Sequence, residues 1–369
     1  MKPAFHLESY LAKGVEGVVS GILKATLHNP KESAFMTRYA VQSRKAGKLR
    51  EEARRNGQHI PPFLIASITT QCNLHCKGCY ARANHSCFDR EPDGNAPQPL
   101  RAEQWGSIFR QAADLGVGFI LLAGGEPFVR QDVLKTAGAY PGILFPIFTN
   151  GTLFDENSLK LLDQNRNLVP VLSIEGKQET TDARRGTGVY RRLRDAMKEL
   201  QQRGLLFGAS VTVTRENAEE VLSDSFMDDL SASGSKAIIY VEYVPIDRQS
   251  ANLALDDAAR DRMARTLDEA RERHPEMLMI SFPGDEENSG GCLAAGRGFF
   301  HINAYGGAEP CPFSPYSDTC VADTTLLEAL HSPLFQKLQQ QGNLLQEHIG
   351  GCVLFAQESQ VKQLLKDPI

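Results

Sequence analysis

Six short apolar runs, each followed by a stretch with helical spacing, limit what this chain can fold into more than any other feature. They are FLIASITT (63–70), VGFILLAGG (117–125), LFPIFTNGT (144–152), LVPVLSIEG (168–176), LLFGASVTVT (205–214) and KAIIYVEYVPI (236–246). A strand solvated on one face alternates apolar with polar residues. Near-continuous runs indicate burial on both faces, as in a parallel sheet covered by helices. The segments between them, among them RAEQWGSIFRQAADLG, DENSLKLLDQN, YRRLRDAMKELQQRG and NAEEVLSDSFMDDL, carry apolar residues three to four apart. Six βα units fall short of the eight that close a TIM barrel. The expectation is therefore an α/β chain, a partial (βα)6 TIM-like open barrel with its site at the C-terminal strand ends.

Both flanks differ from this centre. Over residues 1–60, Leu11, Val15, Val18, Val19, Ile22 and Leu23 recur at helical spacing, which predicts a helical N-terminal extension packed on the main domain. Residues 61–250 hold the barrel units, and 251–284 read as a linking helix and strand. From 285 to 369 glycine, proline and cysteine dominate, and FFHINAYGGAEP predicts a hairpin in a small C-terminal module. With 369 residues, 41% of them hydrophobic, the chain can bury a sizeable core and more than one folding unit.

Charge and hydropathy exclude several classes of function. A net charge of −5 supplies no field for a phosphate backbone, so nucleic acid is not an expected partner. The apolar stretch GVEGVVSGILKATL is broken by Glu16 and Lys24, too short and too charged for a membrane span. A cytoplasmic location is expected.

The eight cysteines are distributed as ligands rather than as a disulfide framework. Cys72, Cys76 and Cys79 fall within eight residues directly after the first apolar run. Thiolates suit zinc or an iron–sulfur cluster. Closed zinc needs a fourth ligand, for which His75 or His85 stands near, and a zinc-stabilised, non-catalytic scaffold is one reading of the loop. Three thiolates on a four-iron cube leave one iron without a protein ligand. Further on, Cys292, Gly306 and Cys311 are followed by Cys320 and by Cys352 in GGC, while Cys87 fits neither set.

Cys72-x3-Cys76-x2-Cys79 after a first barrel strand resembles the signature of radical S-adenosylmethionine (radical SAM) enzymes. The resemblance implies a [4Fe–4S] cluster whose open iron binds S-adenosylmethionine, and reductive cleavage of that molecule to a 5′-deoxyadenosyl radical that takes a substrate hydrogen. Gly124, Gly125, Glu126 and Pro127 resemble the family segment that holds the methionine amino group; alone they would read as a βα turn. SIEG resembles the Ser-x-Asp-Gly turn, which implies Ser173 and Glu175 near the ribose or carboxylate, with Glu in place of Asp. Arg185 matches an arginine that pairs with the carboxylate in relatives; a solvated arginine is the plain alternative. Many relatives place an aromatic residue before the third cysteine, where this chain has Gly78.

The spacing Cys292-x13-Gly306-x4-Cys311, with Cys352 in the tail, resembles SPASM and twitch modules, which bind auxiliary [4Fe–4S] clusters. It implies one auxiliary cluster held by Cys292, Cys311 and Cys352, with Cys320 as a fourth ligand or as a buried thiol. The implied partners are a reductant such as flavodoxin or ferredoxin and a substrate, first a peptide, as in maturation of ribosomally made peptides, and second a small molecule, dehydrogenated or otherwise modified.

Overall fold

The computed structural model describes residues 7–27, 29–89, 98–245, 250–286, 289–341, 344–345 and 352–366. Two helices come first, α1 (Leu7–Ala25) and α2 (Pro30–Arg55). Asn29 caps α2 by accepting from Lys31 N and Glu32 N, with Pro30 at the first helical position. Seven strands then run parallel: β1 (Phe63–Ser67), β2 (Phe119–Ala123), β3 (Phe145–Thr149), β4 (Leu168–Ser173), β5 (Gly208–Val213), β6 (Ala237–Glu242) and β7 (Leu278–Phe282). The hairpin of β8 (His301–Ile302) and β9 (Ala308–Glu309) joins the other side of β1. The order is β7-β6-β5-β4-β3-β2-β1-β8-β9, a sheet with two free ends rather than a closed barrel.

The two faces of this sheet are unlike. Ala66, Leu122, Ile147, Leu172, Ala209, Val211, Ile238 and Tyr240 are fully buried. Helices cover them; in Ala102–Leu115, Trp105, Ile108, Phe109 and Ala112 are buried, and Phe109 meets Phe145 edge-on at 5.1 Å. The opposite face carries Ser67, Leu121, Phe148, Ser173, Thr212, Ile239, Val241 and Phe282, all half-buried. This is the lumen. Register places them together, with Ser67 beside Ala123, Ser173 beside Ser210 and Val241 beside Phe282.

The N-terminal helices fill the bottom of that lumen. Val19, Ile22, Phe35, Met36 and Tyr39 pack with Phe119, Leu144, Val169 and Leu206, which sit at the beginnings of β2 to β5. Tyr39 also donates to the Gly118 carbonyl at 2.6 Å. Hydrophobic burial seats the helices, and the tyrosine's polar tip finds a backbone partner.

Two elements differ from the expectation. The strand foreseen in the linking segment is β7, which extends the parallel sheet beside β6 to a seventh strand. The hairpin expected in a C-terminal module is hydrogen-bonded into the barrel sheet itself, Ile65 pairing with His301 and Ala66 with Ile302. Its residues read as a hairpin because Asn303 to Gly307 turn sharply; the docking edge is more than 200 residues upstream, beyond the reach of any local pattern. Among the described residues no helix is long and apolar enough to cross a membrane.

Candidate active site and cysteine centres

The exits of β1 and β2 run side by side and form the wall of the first cysteine loop. Ile68 N donates to Ala123 O, Gly125 N to Thr69 O and Glu126 N to Gln71 O, at 2.9, 2.9 and 2.7 Å. A Cβ on Gly125 would lie 2.0 Å from Gln71 O, and one on Gly124, where φ is +138°, would lie 2.4 Å from Thr69 O. Both neighbours are backbone and cannot swing aside, so only glycine lets these two loops touch. The close approach that the glycine pair serves in this structure is to the stem of the cysteine loop.

Glu126 is 1% exposed. Its Oε1 accepts from Phe128 N at 3.1 Å and Thr149 Oγ1 at 2.7 Å, and its Oε2 from Asn150 N at 2.7 Å. Asn150 Nδ2 in turn donates to Asn73 Oδ1 in the cysteine loop at 2.9 Å. Burial raises the Glu126 carboxyl to about 7 against the opposing pull of these donors. A carboxyl whose folded value lies above its unfolded one stabilises fully below the unfolded value of 4.5, and that contribution is lost as pH rises through about 7. Urea unfolding should therefore show wild-type stability falling between these pH values by a few kcal/mol relative to Glu126→Gln. Parallel pH profiles of the two proteins would contradict this.

Glu175, in the turn after β4, is fully buried. Its Oε1 accepts from Arg184 Nη1 at 2.7 Å and from Arg185 Nε at 2.8 Å, while Oε2 accepts from Thr212 N at 3.0 Å. Burial alone would raise this carboxyl, but Arg184 and Arg185 outweigh it and hold it below the usual range. Both arginines end the Gln178–Arg185 helix, and both reach the cysteine loop. Arg184 Nε donates to Lys77 O at 3.2 Å, Lys77 N donates to Arg184 O at 2.8 Å, and Arg185 Nη1 lies 3.9 Å from Cys76 Sγ. Ser173 Oγ stands 3.3 Å from Ser210 Oγ on the lumen face.

Cys72, Cys76 and Cys79 are all half-buried. The Cys87 thiol is hydrogen-bonded to Cys72 and, more than any other cause, draws Cys72 down to about 6; Cys87 itself is pushed up. Burial raises Cys76, against Arg185 and Arg184. His75 pairs with exposed Asp89 at 2.9 Å, and His85 is exposed with φ +54°. Tyr243, just past β6, is 4% exposed and packs on Gly78 where φ is +68°; among the described residues its hydroxyl has no hydrogen-bond partner. The lack of a Cβ at Gly78 thus makes room for an aromatic ring from another strand.

The second set converges between the ends of β6 and β7 and the C-terminal segment. Cys292, Cys311 and Cys352 line one small pocket with Glu242, Phe282 and Phe313. Interaction between the Cys311 and Cys352 thiols raises Cys311 and lowers Cys352, and Cys352 Sγ accepts from Phe355 N at 3.4 Å. Glu242 faces this pocket and is salt-bridged to Arg260 at 2.9 Å. Cys320 is not part of the pocket lining: its thiol donates to Tyr305 O at 3.6 Å and lies against Gly306. Gly350 and Gly351 of the GGC segment lie outside the described residues. The two sets are joined by Tyr80 and Phe313, whose rings meet at 4.9 Å, and by Asn84 Nδ2 donating to Pro312 O at 3.3 Å. Among the described residues no three His, Cys, Asp or Glu side chains gather closely enough to hold a single metal ion.

Comparison with known proteins gives this geometry a context. Residues 66–224 match the Radical SAM superfamily. The chain is 27% identical over 228 residues to the Fe-coproporphyrin III synthase of Methanosarcina barkeri, covering 61% of this chain and 54% of that protein. It is 24% identical over 261 residues to the sporulation killing factor maturation protein SkfB of Bacillus subtilis, covering 69% and 60%. The chain thus spans little more than half the length of these two relatives. Streptococcus suis SuiB bound to the precursor peptide SuiA superposes with a TM-score of 0.64 at 19% identity, over 90% of this chain and 79% of that one.

Proposed function

Because the chain belongs to the radical SAM superfamily, we propose that it is an enzyme that reductively cleaves S-adenosylmethionine at the first cysteine loop and takes a hydrogen atom from a substrate in the lumen. The observation that carries this is the loop at the exit of β1, where three half-buried thiols are grouped, Cys76 lies 3.9 Å from Arg185 Nη1, and His75 is paired with Asp89. Soft donors beside a buried cation fit a [4Fe–4S] cluster, which when bound supplies the electron for cleavage. Cys72, Cys76 and Cys79 would hold it. The Gly124–Pro127 segment, Ser173, Glu175 and Arg185 would shape the place of S-adenosylmethionine, Glu175 by fixing Arg185 and Glu126 by fixing the wall behind the loop.

Cys292, Cys311 and Cys352 would hold one auxiliary [4Fe–4S] cluster, since their thiols surround a common space; Cys320 is left as a turn thiol. Cys292→Ala should lower bound iron by about one four-iron cluster's worth. Unchanged iron after anaerobic reconstitution would remove the auxiliary cluster from this reading.

A peptide is the substrate class we favour, supported by SuiB, a fold relative that binds a precursor peptide. The likeness to a tetrapyrrole-forming synthase supports the second class, a small molecule. A flavodoxin- or ferredoxin-type protein would supply the electron. The test is anaerobic reconstitution with iron and sulfide, then reduction with S-adenosylmethionine present. Release of 5′-deoxyadenosine is expected. Stoichiometric zinc with no cleavage would return the chain to a zinc-stabilised scaffold.

A further inference from the structure

On the lumen side of the sheet a buried histidine links a serine to a carboxylate. His301 on β8 has Ile65 of β1 as its register partner, so it shares a face with Ser67 two residues on. His301 Nε2 lies 2.7 Å from Ser67 Oγ, and Nδ1 lies 2.7 Å from Oε2 of Glu309, directly opposite on β9. The other carboxylate oxygen accepts from Asn303 Nδ2 at 2.6 Å. Asn303 has no freedom to turn its amide over, because its Oδ1 already accepts from Tyr305 N at 3.0 Å and Gly307 N at 2.9 Å.

With Glu309 ionised, these contacts set the direction of every bond. A carboxylate accepts only, so the proton of the neutral ring sits on Nδ1 toward Glu309. Nε2 then keeps its lone pair, and the Ser67 hydroxyl donates to it. His301 and Glu309 are 4% and 5% exposed. Ser67 is half-buried, the last residue of β1, beside Ala123 and five residues before Cys72. The chain of three is closed at Glu309 and open at Ser67.

We propose that Glu309, His301 and Ser67 form a proton relay that serves the lumen as a general base. The substrate it fits carries an O–H or N–H at the reacting position. The X–H bond breaks, its proton bonds to Ser67 Oγ as the serine proton bonds to His301 Nε2, and the electron pair stays on X. Glu309 holds the resulting imidazolium. Two protons each cross one hydrogen bond, the net proton ends on His301, and no electron is transferred. The role toward substrate rests on the enzyme reading above; the polarity of the relay does not.

Two measurements on the full chain without clusters test it. In ¹⁵N-histidine-labelled protein near neutral pH, His301, assigned by loss of its signals in H301Q, should be protonated at Nδ1 with Nε2 bare. S67A should shift Nε2 and keep the tautomer, whereas E309Q should lose it. A ring protonated at Nε2 would overturn the proposal. In the second, diisopropyl fluorophosphate should phosphorylate Ser67, fluoride leaving and His301 taking the proton. Peptide mapping should show the modification slowed about a hundredfold in H301Q and E309Q, with circular dichroism confirming that each variant is folded. Absence of label on wild-type Ser67 would reduce the trio to a staple between β1 and the hairpin and overturn the relay. Neither readout depends on 5′-deoxyadenosine formation, so the relay and the enzyme reading fail separately.

Discussion

Cys76→Ala should release no 5′-deoxyadenosine above background after anaerobic reconstitution and reduction with S-adenosylmethionine, and should bind less iron than wild type. On the proposed reading the three thiols would anchor three irons of a cube, and removing one would leave two anchors and a second bare corner. The approach to Cys76 is taken by Arg185, whose Nη1 lies 3.9 Å from its Sγ. The same variant should unfold in urea at nearly the wild-type concentration, because a half-buried thiol contributes little packing. Full product formation by this variant would remove Cys76 from the proposed cluster site.

Glu175→Gln should destabilise the fold by about 3 to 5 kcal/mol, the range for leaving buried charge without its partner. Two guanidinium groups share this carboxylate, and the side chains of Glu175, Arg185 and Arg184 are 1%, 11% and 17% exposed. Glutamine preserves shape and length, so the loss would report charge rather than a cavity. The same carboxyl should make wild-type protein acid-sensitive. Its folded value is depressed, so its stabilisation is present above the unfolded value of 4.5 and is lost as pH falls through the lower folded value. Equilibrium unfolding of both proteins above and below that point checks the sign: the difference should be large at the higher pH and shrink at the lower. A difference independent of pH would mean that the pair contributes through packing alone.

Strand runs such as VGFILLAGG and LLFGASVTVT were legible because burial on both faces leaves a composition that a short window detects. LMISF was read as a strand of the linker because nothing within it shows which neighbour it joins; its pairing with β6 is set by the Asp257–Arg273 helix folding back between them. The three-cysteine loop was visible through spacing. Its supports were not. Glu175 is marked as a site residue by the SIEG resemblance, but its pairing with Arg184 and Arg185 shows only once their helix is placed beside it, and Cys87 reads as incidental until the loop brings it to Cys72. Ser67, His301 and Glu309 lie up to 242 residues apart, joined only because a hairpin docks on β1. Local pattern reveals elements and ligand spacing; charge partners across the sheet follow from topology.

The hydrogen bonds between β8 and β1 bear on timing. Because that hairpin is knitted into the same sheet as the first loop, and Phe313 is wedged against Tyr80, the gap between the two thiol nests is a built-in spacer rather than a hinge. On the proposed two-cluster reading, an electron passing between them would cross a fixed distance, leaving driving force and reorganisation energy to set its rate.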